Sequence, residues 1–249
     1  MRLKDKIAIV TGAASGFGRG IAEAFAREGA KVLVADLNEA GARDVVAGIG
    51  PAAGAFACDV SKKADVDAMV AEAVRRFGGL DIIVNNAGTT HKNQSLMTVT
   101  EAEFDRIYAV NVKSIYLTTL AAVPELEKRG GGVIINLAST AGVRPRPGLT
   151  WYNGSKGAAI TLTKSLAAEL APKNIRVSAI NPVMGETGML EQFMGVPDTP
   201  ENRARFVATI PLGRMSRPSD IANAALFLAD PASAFITGVA LEVDGGRCV

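Results

Sequence analysis

The chain of 249 residues is poor in several residue types that often carry function: it has one histidine, one tryptophan and two cysteines, and aromatic residues make up 5% of it. His91, the single histidine, has no paired cysteine, histidine or carboxylate cluster around it, so no metal site is expected and it reads as a polar loop residue. Cys58 and Cys248 show neither metal-ligand spacing nor the density of a disulfide scaffold, so both are expected to be reduced and structural. Charge of one sign is also lacking. The 27 Lys and Arg against 25 Asp and Glu leave a formal charge of +2 with no basic run, which removes the electrostatic footprint of a nucleic-acid or anionic-membrane partner. There is no long apolar run either. The charged start, Met1 to Lys6, leads into only a few apolar residues before Gly12, too few for a signal-peptide core or a membrane span, and a cytoplasmic protein is expected.

Hydrophobic residues make up 48% and charged residues 21% of the chain, and its length suits one α/β domain over residues 1–249 with a generous core. Apolar runs at Lys6 to Thr11, Lys31 to Asp36, Gly54 to Cys58, Asp81 to Asn85, Val133 to Leu137, Ile175 to Asn181 and Ala240 to Val243 read as strands. Several do not alternate with polar residues, the pattern of strands covered on both faces and so of a doubly wound parallel sheet. Helices are expected at Gly16 to Glu28, Glu39 to Ile49, Lys62 to Phe77, Glu101 to Arg129, Tyr152 to Leu170 and Ser219 to Ala229. Thr100 and Glu103 form a capping-box pattern, and Pro218 suits a helix start. Residues 182–211 lack a clean period and read as a long loop with one short helix near Glu201 to Ala208, a length usual for lids or disordered segments.

The first strand is followed by Gly12-Ala13-Ala14-Ser15-Gly16-Phe17-Gly18 and then at once by a helix. Glycines at such a turn let backbone N–H groups approach a pyrophosphate, which meets the positive end of the helix dipole. A ligand-free glycine turn has the same pattern. The second strand ends in Asp36, about 20 residues past the glycine turn, where a carboxylate can accept hydrogen bonds from an adenosine ribose and would repel a 2′-phosphate. Neither Phe17 nor Leu37 offers a compensating cation, so NAD is favoured over NADP. The other reading of Asp36 is a cap for the helix beginning near Glu39.

Tyr152 and Lys156 stand four residues apart on a helical stretch and project from one face. A phenol ordinarily holds its proton with a pKa near ~10, and a neighbouring ammonium favours the phenolate and so makes it a usable acid/base. By itself Y-x-x-x-K is common in helices. Ser139 lies thirteen residues before Tyr152, after the strand Val133 to Leu137, Asn85-Asn86-Ala87-Gly88 ends the fourth strand, and Asn111 sits in Val110-Asn111-Val112. With these motifs in this order, the chain resembles a short-chain dehydrogenase/reductase of the classical single-domain type over nearly its whole length.

The resemblance implies a Rossmann fold with a mostly parallel seven-stranded sheet, order 3-2-1-4-5-6-7. It implies hydride transfer between a nicotinamide and a secondary alcohol or ketone. Tyr152 would exchange the proton and Ser139 would hold the substrate oxygen. Lys156 would bind the nicotinamide ribose and bias Tyr152, and Asn111 would hold a water. Gly12, Ser15, Gly16, Phe17 and Gly18 would lie along the pyrophosphate, Asp59 and Val60 beside adenine, and Asn86, Ala87 and Gly88 along the cofactor. Without the resemblance, Ser139 reads as a turn cap and Asn111 as a satisfied helix residue. The family's Pro-Gly after the sixth strand is Pro182-Val183 here, which puts the path of that loop in doubt, since valine avoids positive φ; Val183 through its backbone and Thr187 through its hydroxyl remain candidates for the carboxamide. Self-association, commonly as a homotetramer through residues 101–129 and 152–170, is also implied.

On the substrate side, Met184, Met189, Leu190, Phe193, Met194 and Phe206 fall in the loop over about 183–210 that the resemblance makes a substrate loop, and suit an apolar substrate or packing of that loop against the body or another subunit. Arg144, near the active-site mouth, could meet an anionic group or be a solvated loop residue, Trp151 falls near the same mouth, and His91, which follows the Asn85 segment, could face the substrate or be a polar loop residue. Two other functions are retained at this point: a 3-oxoacyl thioester reductase, which would prefer NADPH against the argument from Asp36, and a dinucleotide-binding sensor or scaffold.

Overall fold

Seven short apolar runs become seven strands in the computed structural model, which describes residues 1–186 and 188–249. They are β1 (Ile7–Thr11), β2 (Lys31–Asp36), β3 (Ala53–Ala57), β4 (Ile82–Asn85), β5 (Gly132–Leu137), β6 (Ile175–Pro182) and β7 (Ala240–Val243). Every pairing is parallel, and the order across the sheet is β3-β2-β1-β4-β5-β6-β7. The helices are α1 (Gly16–Arg27), α2 (Glu39–Ile49), α3 (Lys63–Phe77), α4 (Glu101–Tyr108), α5 (Ser114–Lys128), α6 (Thr150–Leu170), α7 (Leu190–Met194), α8 (Pro200–Val207) and α9 (Pro218–Ala229).

The missing alternation in the strands now has its cause. Side chains of a strand point to opposite faces in turn, and here both faces are covered. In β1, Ala8 and Val10 pack with Ile21 and Phe25 of α1 and Ile221 and Leu226 of α9, whereas Ile9 packs with Met69 of α3 and Leu117 and Leu126 of α5. Such a sheet leaves only strand ends open, and the order reverses between β1 and β4, where an α/β sheet forms its crevice.

Three expectations are corrected. The helix expected over residues 101–129 is two helices separated by a π-turn at Ala109–Lys113, a five-residue widening that carries Asn111. The loop after β6 contains two helices, not one. Leu190 and Met194, one turn apart, bury themselves with Met215, and Gly195 in the left-handed region ends that turn; α8 starts at Pro200 behind Thr199, whose hydroxyl accepts from Asn202 N–H. Cys58 lies past the end of β3, buried, with its thiol pushed up to about 12 by burial. The Thr100–Glu103 capping box forms as expected.

Buried polar groups join the central strands to α6. Asn85 Nδ2 donates to Asn136 Oδ1 at 2.8 Å, Asn136 Nδ2 donates to Thr163 Oγ1 at 2.9 Å, and Thr163 Oγ1 donates to the Ala159 carbonyl at 2.8 Å. Asn136→Ala would strand the Asn85 amide inside the core, and a loss of about 1–3 kcal/mol in urea unfolding is expected; an unchanged midpoint would show that these bonds add nothing net.

Candidate active site

A cleft of about 600 Å³ runs along the carboxyl ends of β1 to β6. One end is lined by Gly12, Ser15, Gly16, Phe17, Asp36, Leu37, Asp59 and Val60. The turn after β1 holds its shape because Asn86 Nδ2 donates to the Thr11 and Gly12 carbonyls at 2.8 and 2.9 Å. A Cβ on Gly18 would collide with the Gly12 oxygen and with Asn86 Nδ2, and Gly12 itself has φ +62, so neither position accepts a larger residue without moving the turn. Helix α1 begins behind Ser15 with no side-chain cap bond and no acid in its first turn. Its first N–H groups thus lack the usual capping oxygen, which fits the phosphates of a dinucleotide.

Asp36 ends β2 with Oδ2 accepting from Ala14 N–H at 2.9 Å and Oδ1 accepting from Asn38 N–H at 2.8 Å. It does not cap α2. That role belongs to Asn38, which accepts from Gly41 N–H. Asp59 is more occupied than the sequence suggests: its carboxylate accepts from Ser61 N–H and Oγ and faces Lys62 at 3.4 Å, and the Ser61 hydroxyl bond chiefly holds its pKa below the usual range.

Further along, Tyr152 and Lys156 project from α6 into the cleft, both almost wholly buried, beside Ser139, Asn86, Ala87 and Gly88. Burial pushes the Tyr152 phenol up to about 12, against downward pulls from hydrogen bonding with Ser139 and from the Arg146 charge. This corrects the expectation that the lysine lowers it. The Lys156 ammonium lies 5.8 Å from the centre of the Tyr152 ring and donates to the Leu137 carbonyl at 2.7 Å instead. Burial in turn brings Lys156 down to about 8. Ser139 also accepts from Ala141 N–H at 3.1 Å, so the turn-cap reading and the site reading hold together.

Asn111 is buried in the π-turn, with Nδ2 donating to the Thr89 carbonyl and to Ser155 Oγ, both at 2.9 Å, while Oδ1 accepts from Thr89 N–H. Ser155 donates to the Tyr152 carbonyl at 2.7 Å. Asn111 therefore reaches Tyr152 through Ser155, a link the Y-x-x-x-K spacing does not reveal. Pro182 and Val183 line the cleft, and Val183 keeps a negative φ because positive φ among the described non-glycine residues occurs only at Asp5 and Asn174; the valine is accommodated without strain. Thr187 lies outside the described residues. Of the three mouth residues, Arg144 is among the described residues lining the cleft and His91 and Trp151 are not: His91 is buried against the Lys92 carbonyl, and Trp151 packs on Phe104. Sequence reading missed Arg146 and Arg247, which line the same end, because neither lies in a motif.

The lysine makes stability depend on pH in a defined direction. Its ammonium has a lowered pKa in the folded chain, so between about 8 and the ordinary lysine value the unfolded chain binds more protons, and stability rises with pH through that window. Urea midpoints measured from pH 7.5 to 10.5 should show a rising component that Lys156→Met removes; parallel profiles for the two chains would contradict it.

A family model described as Enoyl-(Acyl carrier protein) reductase matches residues 12–247. The chain is 54% identical to a 4-formylbenzenesulfonate dehydrogenase of Comamonas testosteroni, covering 99% of both, and 39% identical to a 2-(S)-hydroxypropyl-CoM dehydrogenase of Xanthobacter autotrophicus, covering 98% of this chain and 97% of the other. Its fold superimposes with a TM-score of 0.94 on a 3-ketoacyl-(acyl-carrier-protein) reductase from Brucella melitensis solved with NADH, at 50% identity over 99% of this chain and 100% of that one. With this sheet order and these relatives over its full span, the chain belongs to the short-chain dehydrogenase/reductase family of oxidoreductases.

Proposed function

We propose that the chain interconverts a secondary alcohol and a ketone with NAD(H), with Tyr152 as acid/base. The observation that carries this reading is the meeting of Tyr152, Ser139 and Lys156 at one wall of the cleft whose other end holds the glycine turn and Asp36. NAD, when bound, supplies the hydride acceptor or donor. In the reducing direction the Tyr152 hydroxyl donates its proton to the substrate oxygen, and the Ser139 hydroxyl donates a second hydrogen bond that holds that oxygen in place. With its pKa at about 12, Tyr152 is a proton donor at neutral pH; in the base role the pulls toward the phenolate come from the Ser139 hydrogen bond and the Arg146 charge, and Lys156 would hold the nicotinamide ribose. Asn111 steadies the helix start through Ser155 and Thr89.

NAD over NADP rests on Asp36. A carboxylate at the ribose end repels a 2′-phosphate, whereas of the described arginines of the cleft Arg146 acts on Tyr152, Arg247 acts on Arg146, Arg144 donates to the Arg247 carbonyl and Arg106 donates to the Thr90 carbonyl. The remaining cofactor contacts proposed are Gly12, Ser15, Gly16, Phe17 and Gly18 for the phosphates, Asp59 and Val60 for adenine, and Asn86, Ala87, Gly88, Pro182 and Val183 toward nicotinamide, with the loop over about 183–210 covering the substrate in the same single domain. The names of the relatives support an alcohol or carbonyl substrate. Reduction of a 3-oxoacyl thioester is the second reading, favoured by the likeness to the Brucella 3-ketoacyl-(acyl-carrier-protein) reductase. Exposed Tyr116 and Leu120 on α5 support self-association, as a tetramer, through that helix. No helix among the described residues is long and apolar enough to cross a membrane, and we place the protein in the cytoplasm.

Tyr152→Phe should keep NADH binding, read by fluorescence, and lose turnover by ~10²–10⁴-fold, the usual range for a lost general acid; full turnover would remove the proposed role. Asp36→Ala should narrow the ratio of kcat/KM for NAD over NADP by roughly tenfold or more, about 1.4 kcal/mol of discrimination; an unchanged ratio would place cofactor choice elsewhere.

A further inference from the structure

The end of the cleft beyond Tyr152 collects cations without anions. Arg144, Arg146 and Arg247 line it, and the carboxylates among the described lining residues, Asp36 and Asp59, belong to the adenosine end. No ion pair within 4 Å involves any of these three arginines among the described residues. Arg146 is the most constrained. It is half-buried, its guanidinium stacks over the Phe206 ring at 5.2 Å, and its one side-chain hydrogen bond among the described residues goes from Nη2 to the Phe193 carbonyl at 3.3 Å. Arg247 lies close enough to disfavour its charge, and burial disfavours it more. Arg144 donates to the Arg247 carbonyl, which ties the turn after β5 to the C-terminal segment and holds the three side chains in one region. The nearest acid in sequence to Arg247, Asp244, is engaged elsewhere, accepting from Gly246 and Cys248 N–H.

A guanidinium stays charged, and a partly buried cation beside like charge is unfavourable unless an anion joins it. The Arg146 charge is also near enough to Tyr152 to act on the phenol, so an anion held there belongs to the reacting molecule. Between the two lie flat walls: Phe193 meets the Tyr152 ring edge-on at 5.1 Å, and Phe206 backs Arg146.

We infer that the substrate carries an oxyanion, a carboxylate or a sulfonate, on a flat apolar body, and that Arg146, assisted by Arg247, holds that group while the carbonyl or carbinol carbon faces Tyr152. The inference rests on the oxidoreductase reading above and names the substrate class of that site. A planar fork donates two parallel hydrogen bonds to such a group, which sets its orientation as well as its affinity.

The test separates binding from turnover. Calorimetric titration of the NADH-saturated protein with benzoate, benzenesulfonate and neutral benzamide needs no reaction. Either anion, or both, should bind at least about tenfold tighter than benzamide, the fold-change of one charge-assisted hydrogen bond, and the stronger of the two identifies the oxyanion. The advantage should fall to about twofold in Arg146→Gln, shrink in Arg247→Gln, and return in part in Arg146→Lys. Anions that bind no better than benzamide, or no anion binding at all, or an advantage untouched by both glutamine variants, would overturn the proposal. Assays with 4-acetylbenzoate, 4-acetylbenzenesulfonate and 4-acetylbenzamide then keep the two readings apart: equal kcat/KM for all three defeats the anion site and leaves the oxidoreductase intact, whereas anion binding that survives alongside a fully active Tyr152→Phe defeats the proton-transfer role alone.

Discussion

The ammonium of Lys156, a residue 5% exposed, rests on the Leu137 carbonyl, and the site is arranged around that contact. Among the described residues the ammonium's hydrogen bond goes to an oriented carbonyl at the end of a strand, which offsets part of the cost of burying a cation there. The bond fixes the rotation of α6 against β5, because Lys156 can reach Leu137 only from one face of the helix, and that same face carries Tyr152 one turn earlier. Asn136 and Thr163 hold the helix to the strand two turns further on. The position of the phenol is thus a consequence of where a charge and a buried amide can be satisfied.

The same reasoning sorts charge along the cleft. The turn after β1 presents N–H groups at the start of an uncapped helix, with an acid at the end of the next strand. The opposite end carries guanidiniums and no described acid. A parallel sheet with both faces covered makes this arrangement possible, since every strand delivers its last residue to one edge, and loops following different strands supply opposite charges to the two ends of one crevice. Burial then raises the phenol and lowers the ammonium, so that near neutral pH both hold protons.

Much of this was legible in advance where the signal is local. Unbroken apolar runs report strands covered on both faces, the Thr100–Glu103 box reports a helix start, and glycines before α1 report a backbone that must approach closely. Other features left no local trace. The π-turn at Asn111 keeps a helical pattern on either side, and its widening is visible only when the Asn111 amide meets Thr89 and Ser155. The helix at Leu190–Met194 is a single turn, too short to register as a period, and stands because its two apolar residues find Met215.

The amino-acid sequence by itself determined the sheet with its two covered faces, the glycine turn followed by an acid, and the phenol and lysine on one helical face, because each is written as a pattern along the chain: unbroken apolar runs, glycines between a strand and a helix with an acid ending the next strand, and two residues one helical turn apart. Tertiary structure alone decided that the lysine rests on Leu137 and leaves the phenol high, that Asn111 acts through Ser155, and that Arg144, Arg146 and Arg247 meet at one end of the cleft. Those outcomes join residues tens to a hundred positions apart, and which charges end up beside one another after burial is settled by the packing of whole elements.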